Sequence, residues 1–423
     1  MYAAGIIPDD FCYTAALRAC RIAGKFDEAL ALLAEMPKYG VKPTIFSYTS
    51  ALDLLREMQA NGVEPDEACY CATILACGQC RQWEPVMALL TELRTVGISP
   101  GVRVYSAAIS AYRNCGRLEE ALALLKEMPM VGVQPNIMSY TSTMAACADV
   151  GAWQQAMALL RDMPAKGITP DEYCYTTAIA ACGKGGEWEK AIALLREVPK
   201  VGLKPTVSGY TAAIKACGGG GRQWELALDL LREMRTEGVM PNEFAYSAAI
   251  TVCGEARQWK KAIELLREMP TVGVRPTAVP YGAAIEACRA AGRGGEAVSL
   301  LHEMTTVGIS PDVLCYFAAI RACKVGQSKQ AVDLLREMRT VGVVPNAVTY
   351  NAAIAACGRG EWERAIALLR EMPAVGITPN SVSYGAAIAA CGSSGKWEVA
   401  LTLLREMPTV GLTPNVVTYT AAI

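Results

Sequence analysis

The chain has 423 residues, of which 52% are hydrophobic, with a formal net charge of −1 and a pI of about 6.1. A near-neutral balance supplies no global positive field, so any anionic partner has to be held by local charge. No stretch approaches the ~20 consecutive apolar residues of a membrane span, and no membrane partner is expected.

A tyrosine recurs at Tyr13, Tyr48, Tyr70, Tyr105, Tyr140, Tyr175, Tyr210, Tyr246, Tyr281, Tyr316, Tyr350, Tyr384 and Tyr419. The interval is 35 residues in most cases, 36 once, 34 twice and 22 once. A fixed period of this size predicts a solenoid, which overrides the two or three globular domains that length alone suggests. Counted from three residues before each tyrosine, the expected array of twelve hairpins runs over 10–415, with 45–66 truncated. Residues 1–9 read as the end of a preceding repeat and 416–423 as the start of an incomplete one, so both ends read as cut within a repeat. The truncated unit runs from Tyr48-Thr-Ser-Ala-Leu52 straight into Asp53-Leu-Leu-Arg-Glu-Met58, which predicts one continuous helix that kinks the stack, or an error in the gene model. The run Gly218–Gly221 lengthens one unit and predicts a looser turn.

Residues 172–206 show how a unit folds. Tyr175, Ala178, Ile179 and Cys182 fall at i, i+3, i+4 and i+7, the pattern of one helical face. Trp188, Ala191, Ile192, Leu195 and Val198 repeat that pattern after the break at Gly183, Gly185 and Gly186. Gly202 and Pro205 stop the second helix. Each unit is therefore a helical hairpin with two apolar stripes, and only a stack of hairpins buries both. The predicted class is all-α, an α-solenoid of stacked helical hairpins.

Seventeen cysteines would suggest disulfides or metal in a different setting. Ten of them, Cys20, Cys77, Cys147, Cys182, Cys217, Cys253, Cys288, Cys323, Cys357 and Cys391, stand seven residues after the repeat tyrosine. They read as one buried packing position, too far apart on successive hairpins to bridge, which suits a reducing compartment. Cys77-Gly-Gln-Cys80 has the spacing of a redox or zinc half-site, but Cys77 belongs to that packing position. Trp83, Trp153, Trp188, Trp224, Trp259, Trp362 and Trp397 open the second helices and read as a core position. Arg196-Glu197 and its copies in the recurrent Leu-Leu-Arg-Glu-Met read as solvated charges on an outer face. The single histidine, His302, takes the place of that arginine in one unit.

On the first helix, the residue after the tyrosine falls off the apolar stripe, together with the residues four and seven further on. One helix of each hairpin lines the concave side of such a stack. The first of these positions reads Thr14, Thr49, Cys71, Ser106, Thr141, Thr176, Thr211, Ser247, Gly282, Phe317, Asn351, Gly385 and Thr420. Nine of the thirteen are Thr, Ser or Asn, and one hydrogen-bonding side chain per unit suggests a polymeric ligand with one subunit per hairpin. The further positions add Arg18, Arg21, Arg113, Lys215, Arg289, Arg321 and Lys324 against Glu286, a locally basic lining of the kind a phosphate backbone needs.

The sequence resembles the pentatricopeptide repeat family along essentially its whole length. The likeness rests on the period, on Tyr-Thr-Ala-Ala-Ile at 210–214 and Tyr-Asn-Ala-Ala-Ile at 350–354, on Gly-Lys-Trp-Glu-Val-Ala-Leu-Thr-Leu-Leu-Arg-Glu-Met at 395–407, and on the closing Gly-Leu-Thr-Pro-Asn at 411–415. The resemblance implies a right-handed solenoid and single-stranded RNA binding at one base per repeat, read by the residue after the tyrosine together with the last residue of the unit. A terminal Asp can accept from the ring N–H of guanine or uracil, and a terminal Asn can donate to the bare ring nitrogen of adenine or cytosine. Ser106 with Asn136 and Thr211 with Asn242 then look like adenine readers. Thr141 with Asp171 looks like a guanine reader, as does Thr49 with Asp66, and Asn351 with Asn380 looks like a pyrimidine reader. Less familiar are Thr14 with Thr44, Cys71 with Gly101, Thr176 with Thr206, Ser247 with Thr277, Gly282 with Asp312, Phe317 with Asn346 and Gly385 with Asn415. The family also clamps bases between apolar residues at the second position of each unit, which Met138, Phe244, Val279, Leu314, Val348 and Val382 match and Arg103 and Ser208 do not.

No nucleophilic triad, phosphate-binding loop or His-x-Glu with Cys-x-x-Cys stands in the sequence, and no cofactor is implied. The chain is expected to act by occupying an RNA rather than as an enzyme. Its expected partners are single-stranded RNA, an organellar transcript, and protein partners in RNA processing. The competing reading is a helical-repeat scaffold that binds protein partners, to which the acidic pI gives support. The resemblance alone implies a mitochondrion or plastid, since no targeting peptide is visible in this chain.

Overall fold

A computed structural model describes residues 65–219, 223–323, 328–358 and 360–422, with isolated helical positions between 12 and 59. Thr14, Thr44, Thr49, Arg18, Arg21 and Lys324 lie outside the described residues, as do Gly220 and Gly221 and most of the truncated unit. The chain divides into two compact units, Met1–Gly220 and Gly221–Ile423.

In the first unit the hairpins pair Glu67–Gln79 with Glu84–Thr95, Val102–Asn114 with Leu118–Met130, Ile137–Val150 with Trp153–Ala165, and Glu172–Lys184 with Trp188–Glu197, followed by Val207–Gly219. The second unit begins with Trp224–Thr236. It then pairs Glu243–Glu255 with Trp259–Thr271, Ala278–Ala290 with Gly294–Thr306, Val313–Ala322 with Ser328–Thr340, Ala347–Cys357 with Trp362–Ala374, and Ser381–Ser393 with Trp397–Glu406, and ends in Val416–Ala422. Within each unit every first helix packs on the first helix of the next hairpin, and most second helices pack on their own first helix and the one that follows. Two layers result, the stacked-hairpin solenoid expected from the period.

The core is the repeat motif copied. Tyr105, Ala108, Ile109 and Tyr112 are fully buried, as are the packing cysteines Cys77, Cys147, Cys182, Cys217, Cys253, Cys288, Cys357 and Cys391. Each buried Leu or Ile contributes about 1.5–3 kcal/mol by leaving water. Successive first helices come close enough to need small residues: a β-carbon on Gly183 would fall 2.8 Å from the Ala216 β-carbon. The turn inside the hairpin needs a left-handed residue, which Gly186 supplies at φ 80° and Arg257 supplies at φ 59° against its steric preference.

Two expectations are corrected by the packing. The tryptophans are not core residues. Trp83 and Trp153 are half-buried and lie under a cation of the next hairpin: the Arg117 guanidinium stands 3.9 Å and the Lys190 amine 3.5 Å from the ring centroids. Trp397 is exposed. The Glu of the Leu-Leu-Arg-Glu-Met motif is not merely solvated either. It accepts from the hydroxyl of the repeat tyrosine in its own hairpin, as in Tyr105 to Glu127 at 3.0 Å, Tyr316 to Glu337 at 3.0 Å and Tyr384 to Glu406 at 2.8 Å. The same carboxylate meets an arginine of the preceding hairpin, Arg94 on Glu127, Arg235 on Glu268 and Arg339 on Glu371. Among the described residues no helix is long and apolar enough to cross a membrane.

Candidate nucleic-acid interface

The first helices start where the chain leaves a proline turn in an extended conformation, and the four N–H groups of the first turn need acceptors. The last residue of the repeat provides one at every described first helix except Val102–Asn114, which follows Gly101. Asp66 accepts from the Cys69 N–H at 2.9 Å, Asn136 from Ser139 at 3.0 Å, Asp171 from Cys174 at 2.9 Å, Asn242 from Ala245 at 3.1 Å and Asp312 from Cys315 at 2.8 Å. Asn346, Asn380 and Asn415 cap Thr349, Ser383 and Thr418 at 3.0 Å, and Thr206 and Thr277 cap through their hydroxyls. The expected base-reading residue is thus a helix N-cap. The sequence signal was present, since Asp, Asn and Thr are the side chains that caps prefer.

Capping uses one atom of each side chain. In every Asp and Asn cap the oxygen that accepts is Oδ1, so the Nδ2 donor of Asn or the second oxygen of Asp remains. Asp66, Asn136, Asp171, Asn242, Asp312, Asn346, Asn380 and Asn415 are all exposed. The Cys69 thiol and N–H hold the Asp66 carboxyl below its ordinary pKa, so it stays a charged acceptor.

The residues after the tyrosine sit deeper. Cys71, Thr141, Thr211 and Ser247 are nearly buried, while Ser106, Thr176, Gly282, Phe317 and Asn351 are half-buried. Most of the threonine hydroxyls turn back to their own helix: Thr141 donates to the Met138 carbonyl at 3.1 Å, Thr176 to Glu172 at 2.8 Å and Thr211 to Val207 at 2.7 Å. Ser247 Oγ has no partner among the described residues. The structure does bring several expected pairs together. Asn351 Nδ2 donates to Asn380 Oδ1 at 3.3 Å. Ser106 and Asn136 meet through Ser139, whose hydroxyl accepts from Ser106 at 3.4 Å and donates to Asn136 Oδ1 at 2.9 Å. A β-carbon on Gly209 would lie 3.6 Å from the Thr176 hydroxyl and 3.5 Å from that of Thr206, so this pair flanks one point. Gly282 stands over the Cys315 that Asp312 caps, and Gly385 over the Thr418 that Asn415 caps. Cys71 Sγ points at the Arg103 carbonyl, and Gly101 donates its N–H to Glu67. Thr277 shares its hydroxyl with the Glu243 carboxylate.

The basic lining is thinner than the sequence suggests. Arg113 is paired with Asp149 at 2.7 Å and Arg289 with Glu286. Lys215 is exposed, and the exposed Arg321 stands 5.4 Å from the centre of the Phe317 ring. Second-position residues project freely, with Phe244 64% and Leu314 71% exposed. Tyr173 joins them at 56%, an aromatic in the same register that the sequence reading passed over.

Family models match along the chain. "Pentacotripeptide-repeat region of PRORP" covers residues 49–162, "Pentatricopeptide repeat domain" covers 158–220, 227–290 and 299–360, "PPR repeat family" covers 8–53 and 380–423, and "PPR repeat" covers 279–309 and 348–377. The chain belongs to the pentatricopeptide repeat family. Its fold is similar to a solved structure of the pentatricopeptide repeat protein PPR10 in complex with an 18-nucleotide psaJ RNA element, at 23% identity and TM-score 0.54, over 98% of this chain and 76% of that one. Another similar structure is PPR10 from maize, at 23% identity and TM-score 0.41, over 97% and 75% of the two chains. A third is yeast Rmd9p in complex with a 16-nucleotide target RNA, at 10% identity and TM-score 0.41, over 89% and 75%. Among the curated proteins compared, none matches this sequence.

Proposed function

We propose that this pentatricopeptide repeat protein binds single-stranded RNA in a sequence-dependent way and acts by occupying its target, in the processing, stabilisation or translation of an organellar transcript. The observation that carries the reading is the Asn or Asp cap that recurs along the array. Each Asn or Asp cap spends Oδ1 on the helix and leaves a donor on Asn or an acceptor on Asp at an exposed edge. One polar atom of defined kind per hairpin suits a ligand with one hydrogen-bonding unit per step, and exposed apolar residues such as Phe244 and Leu314 offer flat contacts beside it. PPR10, which shares the fold, is solved in complex with an RNA element. The backbone contribution should be modest, since Arg113 and Arg289 are already paired.

The test is selection of bound sequences from a random single-stranded RNA pool at two salt concentrations. Ser106 with Asn136, and Thr141 with Asp171, should enrich adenine next to guanine. Asn136→Asp should move the first base towards guanine, because the leftover donor becomes an acceptor. No enrichment by the natural chain, with only weak salt-sensitive retention, would overturn the reading and favour a scaffold for protein partners.

A further inference from the structure

The third residue of each first helix stands directly under the cap of the repeat before it, and its chemistry follows the cap. Beneath Asp66, Asp171 and Asp312 stand Cys69, Cys174 and Cys315. Beneath Asn136, Asn346, Asn380 and Asn415 stand Ser139, Thr349, Ser383 and Thr418, all hydroxyls. Asn242, over Ala245, is the exception. A requirement for helix capping alone would not sort thiols from hydroxyls, because Asp and Asn cap equally well through the backbone N–H.

The geometry supplies a reason. Ser139 is fully buried, so it cannot itself meet a ligand. Its hydroxyl accepts from the Asn136 N–H at 3.1 Å and from the Ser106 hydroxyl at 3.4 Å, and donates to Asn136 Oδ1 at 2.9 Å. Oδ1 also takes the Ser139 N–H at 3.0 Å. Two donors converging on Oδ1 fix the carboxamide with its oxygen inward and Nδ2 outward, and the same hydroxyl ties in the other member of the pair. Ser383 is likewise buried, and its hydroxyl lies 3.1 Å from Asn380 Oδ1 and 2.6 Å from Asn351 Oδ1. Thr349 and Thr418 differ: their hydroxyls donate to the backbone carbonyls of Asn346 and Asn415 at 2.8 Å, so the second donor on Oδ1 belongs to the serines. Under an Asp the demand is opposite. A hydroxyl would donate firmly to the carboxylate and take up a lone pair that a base N–H needs. A thiol also donates to the carboxylate, as Cys69 does to Asp66, but more weakly, and so spends less of its acceptor strength. Burial pushes the Cys174 and Cys315 thiols up to about 12, so neither becomes a second anion beside the Asp.

We propose that the third residue of a repeat, where it is Ser or Cys, is a positioning residue for base selection by the preceding repeat, with a serine hydroxyl orienting an Asn donor outward and a thiol drawing only weakly on an Asp acceptor. The inference rests on the RNA-binding reading above. It concerns residues that are almost fully buried.

The experiment uses the full chain and the RNA selected by it, labelled at one end, with adenine or guanine at the base opposite the repeat 102–136. Ser139→Ala should lower the adenine-to-guanine affinity ratio about fivefold, the worth of one hydrogen bond of ~1 kcal/mol, while the ratio at the adjoining base stays unchanged. Ser139→Thr should retain the ratio. Cys174→Ser, which keeps the volume, should lower the guanine preference at the adjoining base, opposite Thr141 and Asp171. If Ser139→Ala and Cys174→Ser lower the melting temperature or overall affinity but leave both ratios as they were, the residues only support the caps and the inference is overturned. If Asn136→Asp also leaves the preference in place, the base-reading role falls with it, whereas a shift with Asn136→Asp alone overturns only the role of the third residue.

Discussion

The tyrosine hydroxyl that ties one hairpin to the charge of its second helix gives a direct measure of how repeats hold together. Tyr105 is fully buried, and its hydroxyl donates to Glu127 at 3.0 Å while accepting from Arg94 of the preceding hairpin at 2.8 Å. Replacing it with Phe keeps the ring and removes both bonds. Hydrogen bonds to charged groups are worth about 1.5–3 kcal/mol each, but the Arg94 and Glu127 side chains are 42% and 31% exposed and can pair with each other or with water. The expected net cost of Tyr105→Phe is therefore near the lower end, about 1.5 kcal/mol. Glu127→Ala removes the acceptor and the inter-repeat ion pair together and should cost about 2 kcal/mol. Because the residues share one cluster, the double variant should be less destabilised than the sum by about 1 kcal/mol. Urea denaturation gives the three values, and amide exchange in Val102–Asn114 and Leu118–Met130 shows whether the loss is local, as nearest-neighbour stability requires. A Tyr105→Phe chain within about 0.3 kcal/mol of the natural one, or strict additivity, would refute the argument.

Three further outcomes follow from the packing. Arg257→Gly should raise stability by about 0.5–1 kcal/mol, since it relieves a left-handed residue at φ 59°, whereas Arg257→Ala should bring no gain in the same urea titration. Gly183→Val should cost about 2–3 kcal/mol, because its β-carbon would stand 2.8 Å from the Ala216 side chain and 3.1 Å from its Cα, and an unchanged denaturation midpoint would show that the first helices can part freely. Stability should fall at both ends of the pH scale. The Arg370 and Tyr384 bonds hold Glu406 below its ordinary 4.5, so its contribution is present above that value and is lost as pH drops through the lower folded one. Burial and Glu406 raise Tyr384 from 10.0 to about 12, so its contribution is full below 10 and is lost as pH rises through about 12. Glu406→Gln should flatten the acid limb of a midpoint-against-pH curve, and an unaltered limb would reject that assignment.

The hairpins, their order and the buried stripes were legible because the repeat supplies many copies of one pattern. Tyr105, Ile109 and Tyr112 each predict burial from spacing alone, and they are fully buried. What escaped was whatever depends on the neighbouring hairpin. Glu127 looks solvated on an isolated helix. Its partners lie 22 residues back in the hairpin and 33 residues back in the preceding one, and no helical-face argument reaches them. Trp83 looks like core by size, yet its cover is Arg117 from the next hairpin rather than apolar packing. Arg113 reads as free positive charge because its partner Asp149 stands in the next hairpin, 36 residues on, and Glu286, counted as one opposing charge, is paired directly with Arg289. Asn136 and Asp171 were marked by position as selectors, while their work at the start of the following helix went unread.

That shared duty has an evolutionary consequence. A residue that both starts a helix and chooses a base can vary only among side chains that do the first job. Asn and Asp differ by one atom, cap equally well and offer opposite polarity outward. On the proposed reading, exchanging them at Asn136 or Asp171 keeps the cap at almost no cost to folding, and a matching change at Ser139 or Cys174 completes the change of base, so new specificity is one or two mutations away. A change to a bulky apolar residue costs the cap and the choice together. Such an array can drift readily between related targets while its fold polices the alphabet in which they are written.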